Sequence, residues 1–342
     1  MEETRETVPV SVPPIGWACG CTRRGSSHAR DGRPCQDAHA LWASSFLGEP
    51  LLVAAVADGH GGERHDLSHC GAALAVQAAV AEVIGSLPSR EEGGGWRPVP
   101  PGRGEEFHHR ISARWREAVM TDAGGKIGFT ADGEDPKDLL TRYGSTLLLA
   151  LIDGSECWVG QIGDGDILIV RPDGSVEAPL PKDETLLGTV TYSLSSRDAP
   201  ALWRTGRFPI GAGGLLLLAT DGLSDSFGDQ DSEFRVFARS LSERVASFGI
   251  ERIGSALPGW LDGYSLNGSG DDMTLVLVHL NPSPGAGGEG QKPPAGEKAG
   301  DVTGSPPEGG DSGSAPADDV TTGSGPAGGI TGSGAGGKTD VP

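Results

Sequence analysis

The residues best suited to chemistry are aspartates that stand at the ends of apolar runs. LLVAAVADGHGG puts Asp58 where such a run stops, CWVGQIGDGD does the same for Asp164 and LLLLATDGLSD for Asp221, while GSGDDMTLVLV sets Asp271 and Asp272 just before another run. A strand end in a rigid sheet fixes its side chain closely, and neighbouring glycines let backbone approach a ligand. A single Asp-Gly pair after a strand is ordinary turn chemistry. Recurrence after long apolar runs suggests a shared site. Carboxylates gathered at that density cannot all ionise unless cations neutralise them. Oxygen donors select Mg²⁺ or Mn²⁺ over zinc, and two such ions about 3.5–4 Å apart can acidify a water and clamp a phosphoryl oxygen.

Other reactive residue types carry weaker patterns. Five cysteines, an odd number without framework spacing, fit reduced thiols, and Cys19 and Cys21 form a CxC pair with no second pair to complete a zinc site, so they read as small strand residues. Trp96, Trp115, Trp203 and Trp260 are scattered and read as packing residues rather than a base-stacking platform. His108 and His109 lack a partner at metal-ligand spacing and read as an exposed helix face.

The elements that must hold the aspartates follow from periodicity. Strand-length apolar runs cover Leu51 to Ala57, Ser145 to Ile152, Cys157 to Ile162, Ile167 to Val170, Gly214 to Ala219 and Met273 to Leu280. Asp153-Gly154 and Asp173-Gly174 are hairpin signals, so the middle of the chain reads as an antiparallel meander. Helical period covers Asp66 to Leu87, Glu105 to Asp122, Ser232 to Phe248 and Ile250 to Tyr264; in the third, Phe234, Phe237, Leu241 and Val245 form one apolar stripe. Residues 88–103, rich in Gly, Pro and Glu, read as a flexible excursion. Strands in runs with paired helices between them imply α+β layers rather than βαβ alternation.

Five ordered blocks between about Gly16 and Leu280 resemble the metal-dependent, type 2C family of protein serine/threonine phosphatases: GSSHARDGRPCQDAHA, VAAVADGHGG, YGSTLLLALIDGSECWVGQIGDGD, LLLLATDGLSD and GSGDDMTLVLV. Each is weak alone, and their order and spacing are specific together. The compact form looks closest to a short bacterial subgroup. The resemblance implies a four-layer αββα sandwich of two antiparallel sheets flanked by helices, and hydrolysis of phosphoserine or phosphothreonine by water activated with two Mn²⁺ or Mg²⁺ ions. Residue by residue, it implies that Asp58 bridges both ions, that the Gly59 carbonyl binds one, and that Asp221 and Asp271 complete the pair. Asp164 and Asp225 match positions that support a possible third ion, and Asp37 matches an acidic position near the metals. His60 matches a general acid for the leaving oxygen; its plainer reading is a turn histidine bonded to a carbonyl.

The sequence also departs from that pattern. Gln36 stands where the family carries an acid, and Gly32 stands where its phosphate-binding arginine usually lies. Arg33 is the expected substitute, with Arg30, Arg24 and His28 as rivals. Asp272 replaces a common asparagine and reads either as an anchor for its neighbours or as added repulsion. Between Leu180 and Gly211 the family's usual return and substrate flap are missing, which bears on substrate preference. Two further readings share these residues: a signalling adaptor with a phosphatase fold and little turnover, and a hydrolase of small phosphoesters.

Composition narrows the partners. A formal charge of −20 and a pI near 4.7 argue against nucleic acid or an anionic membrane surface. From Pro282 onward the chain is dominated by Gly, Pro, Ser, Thr and Asp, without aromatic residues, and it reads as a disordered tail after a phosphatase domain spanning 1–281. The N-terminus shows no basic flank followed by an apolar stretch. The expectation is a cytoplasmic monomer that acts on a phosphorylated protein substrate and opposes a serine/threonine kinase.

Overall fold

In the computed structural model of the chain, residues 5–13, 15–46, 49–87, 104–128, 135–153, 156–181, 191–210, 213–229 and 231–281 are described. The excursion 88–103 with Trp96, and the tail 282–342, lie outside the described residues. The chain enters through a hairpin of β1 (Arg5–Val12) and β2 (Gly16–Arg23), forms the short helix α1 (Ser26–Asp31), and returns as a long hairpin of β3 (Asp37–Phe46) and β4 (Glu49–Asp58). Helices α2 (Ser68–Gly85), α3 (Gly104–Lys126) and α4 (Pro136–Arg142) follow, then strands β5 (Leu147–Asp153), β6 (Glu156–Ile162), β7 (Asp166–Val170) and β8 (Val176–Glu177). After β9 (Arg204–Pro209) and β10 (Leu215–Ala219) come the short α5 (Asp221–Ser224), the long α6 (Ser232–Phe248) and α7 (Ile250–Asn267), and finally β11 (Met273–Leu280).

The strands form two antiparallel sheets, ordered β1-β2-β11-β10-β7-β8 and β3-β4-β5-β6-β9. Three apolar cores show how they stack. Side chains alternate between the two faces of a strand, so β4 sends Leu52, Ala54 and Val56 into a core between the sheets and Leu51, Val53, Ala55 and Ala57 into a core shared with α2 and α3. β10 does the same with Leu216 and Leu218 toward the other sheet, and Leu215, Leu217 and Ala219 toward α6 and α7. Strands buried on both faces read as continuous apolar runs, which is why β4, β5, β10 and β11 are so plain in the sequence. The result is the expected αββα sandwich. Fully burying each such Leu or Val contributes about 1.5–3 kcal/mol.

Local chemistry closes the outer layers. The expected stripe on α6 is buried at Phe234, Phe237, Leu241 and Val245, with Phe234 and Phe237 stacked at 5.6 Å. Trp115 of α3 is fully buried and its Nε1–H donates to the Gly71 carbonyl at 3.0 Å, tying α3 to α2. Trp203 and Trp260 are also core residues. Helix α2, at 18 residues and mean hydropathy 1.2, is long and apolar enough to cross a bilayer, yet half of it is buried against the sheet and α3.

Two expectations need correction. The central strands do not form one meander: β5 and β6 pair as expected, but the chain then crosses to the other sheet, where β7 pairs with β10 and β8. The crossing turns on Gly163, whose φ of +106° few other residues adopt without strain. His108 is not exposed but buried at 6%, because α3 turns it onto Trp203 with ring centroids 5.9 Å apart; only His109 faces solvent.

Candidate metal centre

The same alternation that builds the inter-sheet core determines what lies at its end. Continuing the row Leu52, Ala54, Val56 by one step reaches Asp58; continuing Leu216, Leu218 reaches Thr220; running back from Val278 and Val276 reaches Thr274 and Asp272. On β3 the row of Ala43 and Leu41 continues through His39 to Asp37, and Asp37 lies directly opposite Asp58 in the β3–β4 register. The apolar layer therefore turns polar at one edge, where Thr22 Oγ1 bonds both His39 Nδ1 at 2.7 Å and Thr274 Oγ1 at 2.8 Å. Like charges directly opposite one another on adjacent strands are destabilising unless something neutralises them.

Electrostatics shows that the aspartates converge. Burial, then Asp272, pushes the Asp37 carboxyl well above the usual carboxylate range, against hydrogen bonds from Thr220 and Thr274 that pull it down. Burial, then the charges of Asp37 and Asp221, raises Asp58 in the same way, and the Asp58 and Asp221 carboxyls hydrogen-bond to each other. Asp221 is pushed up to about 7 by burial and then by Asp164, with Asp225 and Asp271 adding to it. Asp225 is raised by burial, Asp164 and Asp271. Six aspartates thus share one site, graded from buried Asp37, through partly buried Asp58 and Asp221, to exposed Asp164, Asp225 and Asp271.

Neighbouring residues hold these carboxyls in place. Thr220 Oγ1–H donates to Asp37 Oδ2 at 2.8 Å and itself accepts from the Thr274 N–H at 2.9 Å. Asp221 opens α5 and Asp225 caps it; one turn puts them on the same side, with the Asp225 N–H donating to the Asp221 carbonyl at 2.7 Å. Gln161, buried at 4%, donates from Nε2 to the carbonyls of Gly163 and Gly165 and so clamps the turn that presents Asp164. Gly59 leaves β4 under close backbone: a Cβ there would lie 2.6 Å from the Ser68 carbonyl oxygen and 2.8 Å from that of Gln36. Only glycine fits.

Thr220 and Gln161 escaped the sequence reading, although both continue inward-facing rows and could have been found from that parity. Asp272 resolves as an anchor: its Oδ1 accepts from the Gly25 N–H at 2.6 Å and its Oδ2 from the Gln36 N–H at 2.6 Å, with His28 Nδ1 at 2.8 Å. Gln36 is turned toward α2, where its Nε2 donates to Ser68 Oγ and to the His60 carbonyl.

The two expected catalytic side chains are placed differently from the aspartates. Arg33 is partly exposed and pairs with Asp31 at 3.2 Å, and no arginine is among the largest charge effects on the raised aspartates. Its rival Arg24 is partly buried, with Nη2 donating to the His28 carbonyl and a buried Nε that finds no partner among the described residues. The His60 ring packs against Gly144 and stands edge-on to His65 at 5.2 Å; burial, then His65, lowers its pKa to about 4.

A cation fits this donor set. Asp37 Oδ1 is buried without a hydrogen-bond partner among the described residues, and the site gathers carboxylate oxygens that hold extra protons for lack of a counter-charge. Oxygen donors of this kind suit hard divalent ions.

The family model described as Protein phosphatase 2C matches residues 24–262, well over half of the chain. No curated protein matches. Among solved structures, a bacterial serine phosphatase with a single arginine substitution superposes with a TM-score of 0.50 at 16% identity, covering 77% of this chain and 98% of that one, and shows the fold. The catalytic domain of the serine/threonine phosphatase PstP in complex with two manganese ions gives 0.49 at 19% identity, covering 77% and 97%. The Mycobacterium tuberculosis phosphatase PstP/Ppp gives 0.47 at 20% identity, covering 77% and 98%.

Proposed function

The chain belongs to the protein phosphatase 2C family, and from that premise we propose that it is a metal-dependent hydrolase of phosphoserine and phosphothreonine in proteins. The observation that carries the reading is the convergence of Asp37, Asp58, Asp164, Asp221, Asp225 and Asp271 at the polar end of the inter-sheet core, with four carboxyls raised by burial and mutual repulsion. Asp58, Asp221 and Asp271, with the Gly59 carbonyl, would hold two Mn²⁺ or Mg²⁺ ions; Asp164 and Asp225 beside Asp221 would hold a third; Asp37 would complete the buried side. Bound divalent ions supply neutralising charge and make a water acidic enough to attack phosphorus near neutral pH.

The chain's own groups do the rest. Thr220 fixes the Asp37 carboxylate, and Gln161 fixes the turn of Asp164. His60, neutral near pH 7 because burial holds its pKa near 4, acts as proton donor to the leaving serine or threonine oxygen only after the negative charge of a bound phosphoryl group raises its pKa. The substrate is a phosphorylated protein placed by a serine/threonine kinase, and the enzyme works as a cytoplasmic monomer. The position of Arg33 favours a second reading, an adaptor that keeps the fold and turns over slowly.

One experiment separates the two. Hydrolysis of a phosphothreonine peptide is measured after chelation and after return of millimolar Mn²⁺ or Mg²⁺. Turnover that disappears and returns supports the phosphatase; binding of the peptide without metal-dependent turnover supports the adaptor.

A further inference from the structure

We infer that His28 supplies a nitrogen ligand to a divalent cation that it shares with Asp271, with Asp272 as the carboxylate that orients its ring. The inference deepens the two-cation reading and rests on it. His28 lies in α1 and is buried at 6%, an unusual position for an imidazole at the rim of an acidic site. Its Nδ1 is 2.8 Å from Asp272 Oδ2, an oxygen that already accepts the Gln36 N–H, so Nδ1 is the donor in that contact. The other ring nitrogen, Nε2, stands 3.3 Å from Asp271 Oδ1. A divalent cation bound by both atoms would join the ring nitrogen to the carboxylate oxygen.

The spacing fits one. Two adjacent ligands, each about 2.1 Å from an octahedral ion, stand about 3.0 Å apart, close to the 3.3 Å observed. One ligating atom each from His28, Asp271 and Asp272 lies within 4.8 Å of the others. Asp271 Oδ1 is itself steadied by the Asp272 N–H at 2.8 Å, and Asp272 is held by Gly25 and Gln36, so ring and carboxylate are both fixed before any ion arrives. A histidine that ligates through one nitrogen and donates the other N–H to a carboxylate is a recurrent way of holding a metal. The chemical consequence is selectivity. Oxygen ligands alone suit Mg²⁺ and Mn²⁺ alike, whereas an imidazole nitrogen tilts the choice toward Mn²⁺ and other transition ions.

The test uses the metal-stripped full chain loaded with Mn²⁺ and read by pulsed electron paramagnetic resonance. Wild type should show a directly coordinated ¹⁴N coupling that becomes a ¹⁵N pattern when histidines are labelled. His28→Asn keeps a donor toward Asp272 but removes Nε2, so the coupling should vanish, Mn²⁺ affinity should fall about tenfold or more and Mg²⁺ affinity should stay within about threefold. His28→Gln serves if the first variant does not fold by metal-free circular dichroism. Mn²⁺ bound to wild type without a nitrogen coupling, or a coupling that survives the substitution, overturns the inference and leaves the two-cation reading standing. Failure of Mn²⁺ to bind wild type at all overturns both.

Discussion

Replacing Asp221 by Asn should make the metal-free protein more stable while abolishing most of its response to metal. The Asp221 carboxyl is raised from 3.8 to about 7 by burial and by Asp164. One pKa unit corresponds to about 1.4 kcal/mol, so keeping Asp221 ionised above pH 7 costs on the order of 4 kcal/mol, less whatever solvent reaches this partly buried group. Because the folded value lies above the unfolded one, the folded state binds the proton more tightly. The stability that Asp221 contributes is therefore fully present below about pH 4 and is lost as pH rises through about 7. Asparagine carries no such charge. At pH 8 with chelator, Asp221→Asn should melt higher than wild type by up to about 8–16 °C, taking 2–4 °C per kcal/mol for a domain of this size, and at pH 4 the two should nearly coincide. Mn²⁺ at a hundredfold over its dissociation constant should then add about 2.7 kcal/mol to wild type and little to the variant, closing most of the gap. The assay is differential scanning calorimetry of both proteins across pH, with and without Mn²⁺. A metal-free variant less stable than wild type at pH 8, or an equal response to Mn²⁺, would refute the reasoning.

Three more outcomes follow from the same geometry. His60→Gln should lower kcat on a phosphothreonine peptide by about 10²–10⁴ but affect an aryl phosphate much less, because a good leaving group needs no proton; equal losses on both substrates would remove the proton-donor role. Gly59→Ala should destabilise the fold by about 1–3 kcal/mol, since its Cβ would meet two backbone carbonyl oxygens at 2.6 and 2.8 Å; an unchanged urea midpoint contradicts this. Gln161→Leu frees the turn of Asp164, so calorimetric titration should show the weakest Mn²⁺ event lost or weakened about tenfold with the tighter events kept; loss of every binding event would show that Gln161 supports the whole centre.

How much could be read from the sequence depended on whether the cause was local. Runs such as LLVAAVA and TLVLV announce strands buried on both faces, and the aspartates at their ends announced the site, because strand parity and turn chemistry are properties of neighbouring residues. β3 is hidden in the sequence because DAHALWASSF has no β-branched residue, and without it the pairing of Asp37 opposite Asp58 is invisible. The crossing after Ile162, the burial of His108 on Trp203 and the grip of Asp272 on His28 depend on partners distant in the chain. No local pattern encodes them. Arg33 is a near neighbour in sequence of the vacant position at Gly32, yet the turn after α1 sends it to Asp31.

The central claim is that two cations sit where the inter-sheet core ends in aspartates. Anomalous diffraction from crystals grown with Mn²⁺, collected at the manganese edge, addresses it most directly. The account predicts two strong peaks about 3.5–4 Å apart, each within bonding distance of Asp58 and together reaching Asp221 and Asp271. A map without peaks at Asp58, at an Mn²⁺ concentration that supports turnover, would contradict it.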